Sequence, residues 1–158
     1  MDANNIIINI RKILRSVNLE SKRIEKQYGI SIPQLLALNY LNSLNDCRAT
    51  QKEISTHLNL NMSTVTGIIS RLEKKGLIMK STSEQDRRVH FATLTAKGLK
   101  LLQEAPALMH DQLAARLSNT SPEKLVELEK AFELVIDFMG IAHVEASPMV
   151  TSGEIESE

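Results

Sequence analysis

The chain has 158 residues, about the length of one ordinary domain, and its 19 basic residues balance 19 acidic ones. Its single cysteine, Cys47, excludes an internal disulfide framework and a cysteine-rich zinc site. Only five residues are aromatic, too few for a platform that stacks single-stranded bases. No apolar run reaches the roughly 20 residues that cross a bilayer, and no signal peptide is recognisable. We therefore expect a cytoplasmic protein without a membrane partner.

The zero net charge conceals a strong segregation of charge along the chain. Residues 48–100 contain ten basic and four acidic residues, which gives this segment a net charge of +6. Residues 101–158 contain three basic and eleven acidic residues, for a net charge of −8. A basic middle followed by an acidic end indicates a polyanionic partner for the middle segment.

Apolar residues near the amino terminus recur at three- and four-residue steps, which predicts one amphipathic helix. The helix is expected to end near Gln27, because Gly29 follows and favours a left-handed stop. Ser31 and Gln34 form a capping box that begins a second helix, and a polar break at residues 45–49 follows it. The apolar stripe of the first helix contains Ile6, Ile7, Ile10, Ile13, Leu14, Val17 and Ile24.

Two short helices are predicted in the basic segment. Thr50 and Glu53 form a capping box for a helix that ends near Leu58, and after a short turn Asn61 caps the next helix, which ends at Gly76. Two short helices joined by so brief a turn predict a helix-turn-helix.

The next segment predicts a two-stranded β-ribbon. Residues 77–80 and 89–94 are short runs with β-branched and aromatic side chains, and they flank a polar, charged tip at residues 81–88. The fold class that follows is mostly α, with a small β wing of two or three strands.

The carboxy-terminal third is expected to be helical. Thr95 caps a predicted long helix over residues 96–117, which Pro106 should kink. Ser121 begins a last helix that runs to about Ala142, because it is followed by proline and glutamate. The apolar seam of this helix contains Leu125, Leu128, Phe132, Val135 and Met139.

The second helix of the helix-turn-helix, residues 62–75, has two chemically different sides. Its apolar residues fall within about 100° of one another and predict a buried side. The other side carries small hydroxyl residues, a glycine and flanking cations, as a helix that reads base edges in the major groove requires. The predicted buried residues are Val65, Ile68, Ile69 and Leu72. The predicted DNA-facing residues are Ser63, Thr64, Thr66, Gly67, Ser70 and Arg71. The predicted phosphate contacts are Thr50, Gln51, Lys52, Lys74 and Lys75.

The ribbon tip carries Asp86, Arg87 and Arg88 immediately after this helix. A two-stranded wing can place a guanidinium in a narrow minor groove, where the negative potential is concentrated. We expect Arg88, helped by Arg87, to take that position, and Asp86 to orient the arginine through a bidentate pair.

Residues 58–98 resemble the winged helix-turn-helix of the MarR (multiple-antibiotic-resistance regulator) family. The resemblance is carried by Ser63-Thr64-Val65-Thr66, by Arg71-Leu72-Glu73-Lys74-Lys75-Gly76-Leu77-Ile78, by Asp86-x-Arg88 and by Leu94-Thr95-x-x-Gly98. The order of helices outside this stretch also fits, so the resemblance extends over about residues 5–143.

The resemblance implies a homodimeric transcription factor, usually a repressor, that binds double-stranded DNA at a pseudo-palindromic operator. Many members of the family release DNA when they bind a small aromatic or phenolic ligand, and Arg88 matches the wing-tip arginine of the family. The expected architecture is a winged helix-turn-helix inside an all-helical dimerisation frame. Its parts are a dimerisation helix at 1–30, a DNA-binding lobe at 31–95, dimerisation helices at 96–146 and a flexible tail at 147–158. The two apolar stripes exceed the needs of one small core, which agrees with burial against a second copy.

Other functions remain as alternatives at this point. A winged-helix adaptor that binds proteins and not DNA would expose apolar residues on the helix over 62–75. A thiol-responsive regulator would use Cys47, although the peroxide-sensing branch of the family has its reactive cysteine in the amino-terminal helix, where this chain has none. No metal-ligand spacing and no catalytic constellation is present, so we expect no metal, no cofactor and no enzyme activity. The residues of a ligand pocket cannot be identified from the sequence.

Overall fold

The computed structural model describes residues 3–144 and 146, and within them the chain forms seven helices and three strands. The predicted class, mostly α with a small β wing, is confirmed. The elements are α1 Ala3–Tyr28, α2 Ile32–Ser43, β1 Arg48–Thr50, α3 Gln51–Leu58, α4 Met62–Lys74, β2 Ile78–Thr82, β3 His90–Leu94, α5 Ala96–Glu104, α6 Met109–Ser118 and α7 Pro122–Met139. The chain divides into two compact units, one reaching up to Ala105 and the other beginning at Pro106.

The predicted end of α1 and the predicted starts of α2, α3 and α4 are confirmed by the cap geometry. Gly29 ends α1 with a φ of +67°, in the left-handed region. Ser31 and Thr50 each accept a hydrogen bond from the backbone three residues on, in complete capping boxes that begin α2 and α3. The Asn61 side chain accepts from the backbone NH of Thr64 and begins α4.

The wing is part of a three-stranded antiparallel sheet with the strand order β1-β3-β2. The sequence predicted β2 and β3, but it placed a polar break where β1 lies. Ala49 of β1 lies opposite Ala92 of β3, and both residues are buried. A strand of three residues is stable only because β3 supplies its backbone partners, so its own sequence carries little signal.

The core of the first unit lies between α2, α3, α4 and the sheet. The four apolar residues predicted for the inner side of α4 are all buried, and they pack with Leu35, Leu38 and Leu41 of α2 inside one apolar core. The same burial fixes which side of α4 faces outward, because side chains three and four residues apart share a face.

The predicted long helix over residues 96–117 is wrong, because the chain forms two separate helices there. α5 ends at Glu104, and Ala105 is extended (φ −73°, ψ 137°), the conformation that a following proline imposes on the residue before it. α6 begins only at Met109. The last helix is also shorter than predicted, because Gly140 turns left-handed (φ +67°) and ends α7 at Met139.

Three helices carry apolar side chains that the single chain does not bury. Among the residues of α1, all of them described, only Ile24 is buried, and the fully described α6 and α7 have no buried residue. Leu14 and Phe132 are 58% and 56% exposed.

Within residues 3–144 and 146, no helix is both long and apolar enough to span a bilayer. The predicted tail at 147–158 lies outside the described residues.

Candidate nucleic-acid interface

The turn between α3 and α4 holds the outward face of α4 in place. Asn59 adopts a left-handed conformation (φ 52°) that ends α3. The Ser55 hydroxyl donates to the Leu60 carbonyl at 2.6 Å, and the Leu60 amide donates to the Ser55 carbonyl at 3.2 Å. These reciprocal bonds fix the turn, so α4 begins at a defined point relative to α3.

The outward face of α4 brings together five of the six predicted DNA-facing residues. Ser63 and Thr66 are exposed, and Gly67, Ser70 and Arg71 are half-buried. The Nη1 atom of Arg71 is buried without a hydrogen-bond partner among the described residues. This face is therefore small and polar, and it is able to approach another surface closely.

Thr64 is the exception, and its prediction as a groove-facing side chain is wrong in this structure. Its side chain is only 4% exposed. Thr64 lies four residues before Ile68, and residues at that spacing share one face of a helix, which here is the buried face. The sequence analysis assigned only apolar residues to the buried face of α4, although Thr64 lies on that face too.

Both exposed hydroxyl groups of α4 donate their protons within the helix. Ser63 Oγ donates to Asn61 Oδ1 at 2.8 Å, and Thr66 Oγ1 donates to the Met62 carbonyl at 2.8 Å. In this arrangement each oxygen keeps its acceptor lone pairs for an external partner. Met62, 46% exposed, adds an apolar group at the start of the same helix.

The wing contains the bidentate pair that the sequence predicted. Arg88 Nε and Nη2 donate to the two carboxylate oxygens of Asp86 at 3.1 and 3.2 Å, and the Arg88 backbone amide donates to the same carboxylate at 3.0 Å. These bonds hold the pKa of the Asp86 carboxyl below its ordinary value, the side-chain bond having the larger effect. The Arg88 side chain is nevertheless 91% exposed, so it is oriented without being covered.

The wing is tied to α4 and closed across its tip. Lys80 of β2 lies 2.9 Å from Glu73 of α4 in an ion pair. The Ser83 amide donates to the Val89 carbonyl at 2.9 Å, which closes the loop between β2 and β3. Arg87 is exposed within this loop.

The predicted phosphate contacts fall into different roles. Gln51 and Lys52 begin α3, and Lys52 is exposed. The Thr50 hydroxyl donates to Glu53 Oε2 at 2.9 Å and accepts from the Glu53 amide at 3.2 Å, so its proton serves the helix cap. This removes Thr50 from the set of side-chain donors that a phosphate could use.

Lys74 and Lys75 are adjacent and both exposed, but only Lys75 is bonded across the fold. Its ammonium donates to the Gly29 carbonyl at 2.5 Å. Sequence alone could not separate these two lysines, since their difference depends on a residue 46 positions away.

Two contacts of aromatic rings were not predicted from the sequence. The rings of Tyr40 and His57 stack with centroids 4.0 Å apart, and the Arg48 guanidinium lies 4.2 Å from the centroid of the Phe91 ring. Both pairs join residues distant in the chain, so no local pattern could have found them.

Cys47 is half-buried with a φ of +50°. Among residues 3–144 and 146, no group of three or more His, Cys, Asp or Glu could hold a metal ion.

A helix-turn-helix followed by a wing that presents an oriented arginine is the architecture of a winged-helix DNA-binding protein. Residues 30–90 match the model of the MarR family. The organic hydroperoxide resistance transcriptional regulator of Bacillus subtilis is 32% identical over 124 residues, covering 74% of this chain and 82% of the relative. The transcriptional repressor MprA of Escherichia coli strain K12 is 30% identical over 132 residues, covering 78% and 75%.

The fold agrees with that relationship. The chain of a Staphylococcus aureus MepR–DNA complex superposes with a TM-score of 0.63 at 22% identity, covering 87% of this chain and 98% of the other. The chain belongs to the MarR family. It is therefore a DNA-binding transcriptional regulator, and the prediction that it is not an enzyme is confirmed by the family.

Proposed function

We propose that the protein is a homodimeric, sequence-specific repressor that binds a pseudo-palindromic operator and is released by a small molecule. The observation that carries the proposal is the exposure, within one compact unit, of a small polar face on α4 and of Arg88 on the wing. MprA, which is described as a repressor, and the MepR–DNA complex give the proposal its family support.

The proposal assigns the exposed polar residues to parts of the DNA. The small residues of α4 lie against base edges in the major groove, and Arg71 turns outward to reach a base or a phosphate. Arg88, with Arg87 beside it, enters the adjacent minor groove. The major-groove residues are Ser63, Thr66, Gly67, Ser70 and Arg71, and the phosphate contacts are Gln51, Lys52 and Lys74.

Dimerisation is proposed from the exposed apolar side chains. The apolar faces of α1 and α7 each expose large side chains that the single chain leaves in water. A second copy that covers these faces would remove them from water, and each fully buried side chain contributes about 1.5–3 kcal/mol. A symmetric dimer also presents two copies of α4, as a two-fold symmetric operator requires.

Substitution of Arg88 by alanine tests the DNA-binding assignment. Operators are selected from a random DNA library with the wild-type protein, and dissociation constants are measured over a range of salt concentrations. Arg88→Ala should weaken binding by about 1–3 kcal/mol and reduce the slope of log affinity against log salt. Arg116→Ala, which removes the same charge from an exposed position of α6, is the control and should have little effect. Unchanged affinity and slope for Arg88→Ala would remove the wing from the interface.

The same titration separates DNA binding from the adaptor alternative. If the wild-type protein selects no sequence and shows no salt-sensitive binding below micromolar concentration, a protein partner for the lobe is favoured. The exposed Met62 on α4 and Met79 on β2 would then be the first residues to replace.

The proposed release by a ligand is a shift between two dimer geometries. A ligand that favours recognition helices at a separation other than one turn of B-DNA, about 34 Å, must lower operator affinity. Equal operator affinity with and without a ligand that binds the protein would contradict this part of the proposal.

A further inference from the structure

We propose that Lys75 is a positioning residue that locks the end of α4 to the end of α1 and thereby sets the spacing of half-sites that the dimer accepts. The inference rests on the proposed function, because it assigns Lys75 a role in operator selection without a DNA contact. It also distinguishes Lys75 from Lys74, its neighbour of equal charge.

The first contact of this junction is the bond from Lys75 Nζ to the Gly29 carbonyl, at 2.5 Å. Gly29 follows the last residue of α1, where helix carbonyls lack partners and the helix dipole is negative. A cation at that place satisfies a carbonyl and is attracted by the dipole. Lys75 is the C-cap residue of α4, so the bond directly joins the carboxyl ends of two helices.

Two further contacts close a triangle between α1, α4 and α5. Lys97, in the first turn of α5, donates from Nζ to the Lys75 carbonyl at 2.7 Å. The Tyr28 hydroxyl of α1 donates to the Glu104 carbonyl at the other end of α5, at 3.0 Å. In each of the three pairs of helices, therefore, a side chain from one helix or its cap donates to a backbone carbonyl. That carbonyl belongs to the other helix or to the residue that directly follows it.

The junction matters because it lies at the end of α1 that the core holds. Ile24 is the one buried residue among the described residues of α1, so the core holds this helix near its carboxyl end, and its tilt about Ile24 depends on the contacts made there, among them the bonds of Lys75 and Tyr28. An exposed hydrogen bond contributes little to global stability, but it restricts this tilt, since it fixes a point away from Ile24. The role of Lys75 is therefore orientation more than stability.

A small tilt of α1 displaces its far end by about the rise of one base pair. A helix of 26 residues is about 39 Å long, so a tilt of about 5° displaces its far end by about 3 Å. The rise per base pair is about 3.4 Å. In a dimer held through α1, loss of the junction should therefore let the two copies of α4 accept spacings one base pair shorter or longer.

The experiment compares Lys75→Met with Lys74→Met on three operators. The operator selected by the wild-type protein is altered by adding or removing one base pair between its half-sites, and affinities are measured at several salt concentrations. For Lys75→Met we expect the loss of affinity on the altered operators to shrink at least threefold, with the salt slope unchanged. For Lys74→Met we expect the salt slope to fall by about 0.9 per subunit, with the spacing preference intact. Lys75→Arg, which keeps the charge and can reach Gly29, should restore the wild-type spacing preference.

A second measurement needs no DNA and separates failure of this inference from failure of the proposed function. Spin labels are placed at exposed Asn18 of α1 and at Ser70 of α4, in a Cys47→Ser background diluted with unlabelled protein. Lys75→Met should broaden the distance distribution within one chain, and Lys74→Met should not. An unbroadened distribution for Lys75→Met, or a salt slope that falls as for Lys74→Met with spacing preference retained, would overturn the inference. Failure of the wild-type protein to bind any DNA would instead overturn the proposed function.

Discussion

Gly98, in the first turn of α5, is a position where two physical effects predict opposite results for alanine. Alanine is favoured over glycine inside a helix by about 1 kcal/mol, so helix propensity predicts that Gly98→Ala stabilises the protein. A Cβ at this position would lie 2.3 Å from the Leu77 carbonyl oxygen and 2.7 Å from Leu94 Cδ1, where ordinary contact begins at 3.4 Å. The first of these atoms belongs to the backbone, which must move by about 1 Å.

The magnitude follows from what that movement breaks. The Leu77 carbonyl accepts the Thr95 amide at 3.1 Å at the start of α5, and displacement weakens this bond by about 1 kcal/mol. Overpacking of a filled site costs about 1–3 kcal/mol in addition. The clash therefore outweighs the gain in propensity of about 1 kcal/mol, and Gly98→Ala should lower the free energy of unfolding by about 1–3 kcal/mol.

Urea denaturation at a fixed protein concentration measures this difference. The midpoint for Gly98→Ala should fall by about 1 M, given slopes of about 1–3 kcal/mol per molar for small proteins. Lys100→Ala, at an exposed position of the same helix, is the control and should move the midpoint little. A Gly98→Ala protein as stable as the wild type, or more stable, would show that the close approach of Leu77 to α5 is wrong.

Two further predictions concern the wing and the dimer. The carboxyl of Asp86 should titrate below its ordinary pKa of 3.8 in a ¹³C NMR experiment and return toward that value in Arg88→Ala. Because the folded-state pKa is lowered, the Asp86–Arg88 interaction is complete at neutral pH and is lost as the pH falls through the lowered pKa. If the titration midpoint of Asp86 is the same in Arg88→Ala as in the wild type, the pairing is refuted. Phe132→Glu should raise the dimer dissociation constant in sedimentation experiments by about a hundredfold, since a charge would be buried at the proposed interface, whereas Glu129→Gln should not. A Phe132→Glu protein that remains as dimeric as the wild type would contradict the role of α7.

Helix caps and the core side of α4 were predictable because their signals are local. A capping box such as Thr50 with Glu53 needs only residues three positions apart, and the structure forms both of its bonds. The buried side of α4 follows from the 100° step between residues of a helix, and the Asp86–Arg88 pair needs only two residues that lie two positions apart in the ribbon tip. These features depend on spacing that can be counted in the sequence.

Features that depend on distant partners were not predictable. β1 exists because β3 pairs with it, and Lys75 differs from Lys74 because Gly29 lies within reach of its ammonium. Thr64 was misplaced because its hydroxyl suggested DNA contact, although its position four residues before Ile68 puts it on the core side. At Ala105 the sequence predicted a kinked helix, because Pro106 is visible in the sequence but the point at which the helix resumes, Met109, is not.

In the proposed complex, two copies of α4 enter the major groove and Arg88 enters the minor groove beside each copy. Methylation interference on the selected operator tests both parts, because guanine N7 lies in the major groove and adenine N3 in the minor groove. We predict two clusters of N7 interference about 10–10.5 base pairs apart, flanked by N3 interference that disappears in Arg88→Ala. A single N7 cluster would contradict the binding of two copies of α4, and N3 interference that Arg88→Ala leaves unchanged would contradict the position of Arg88 in the minor groove.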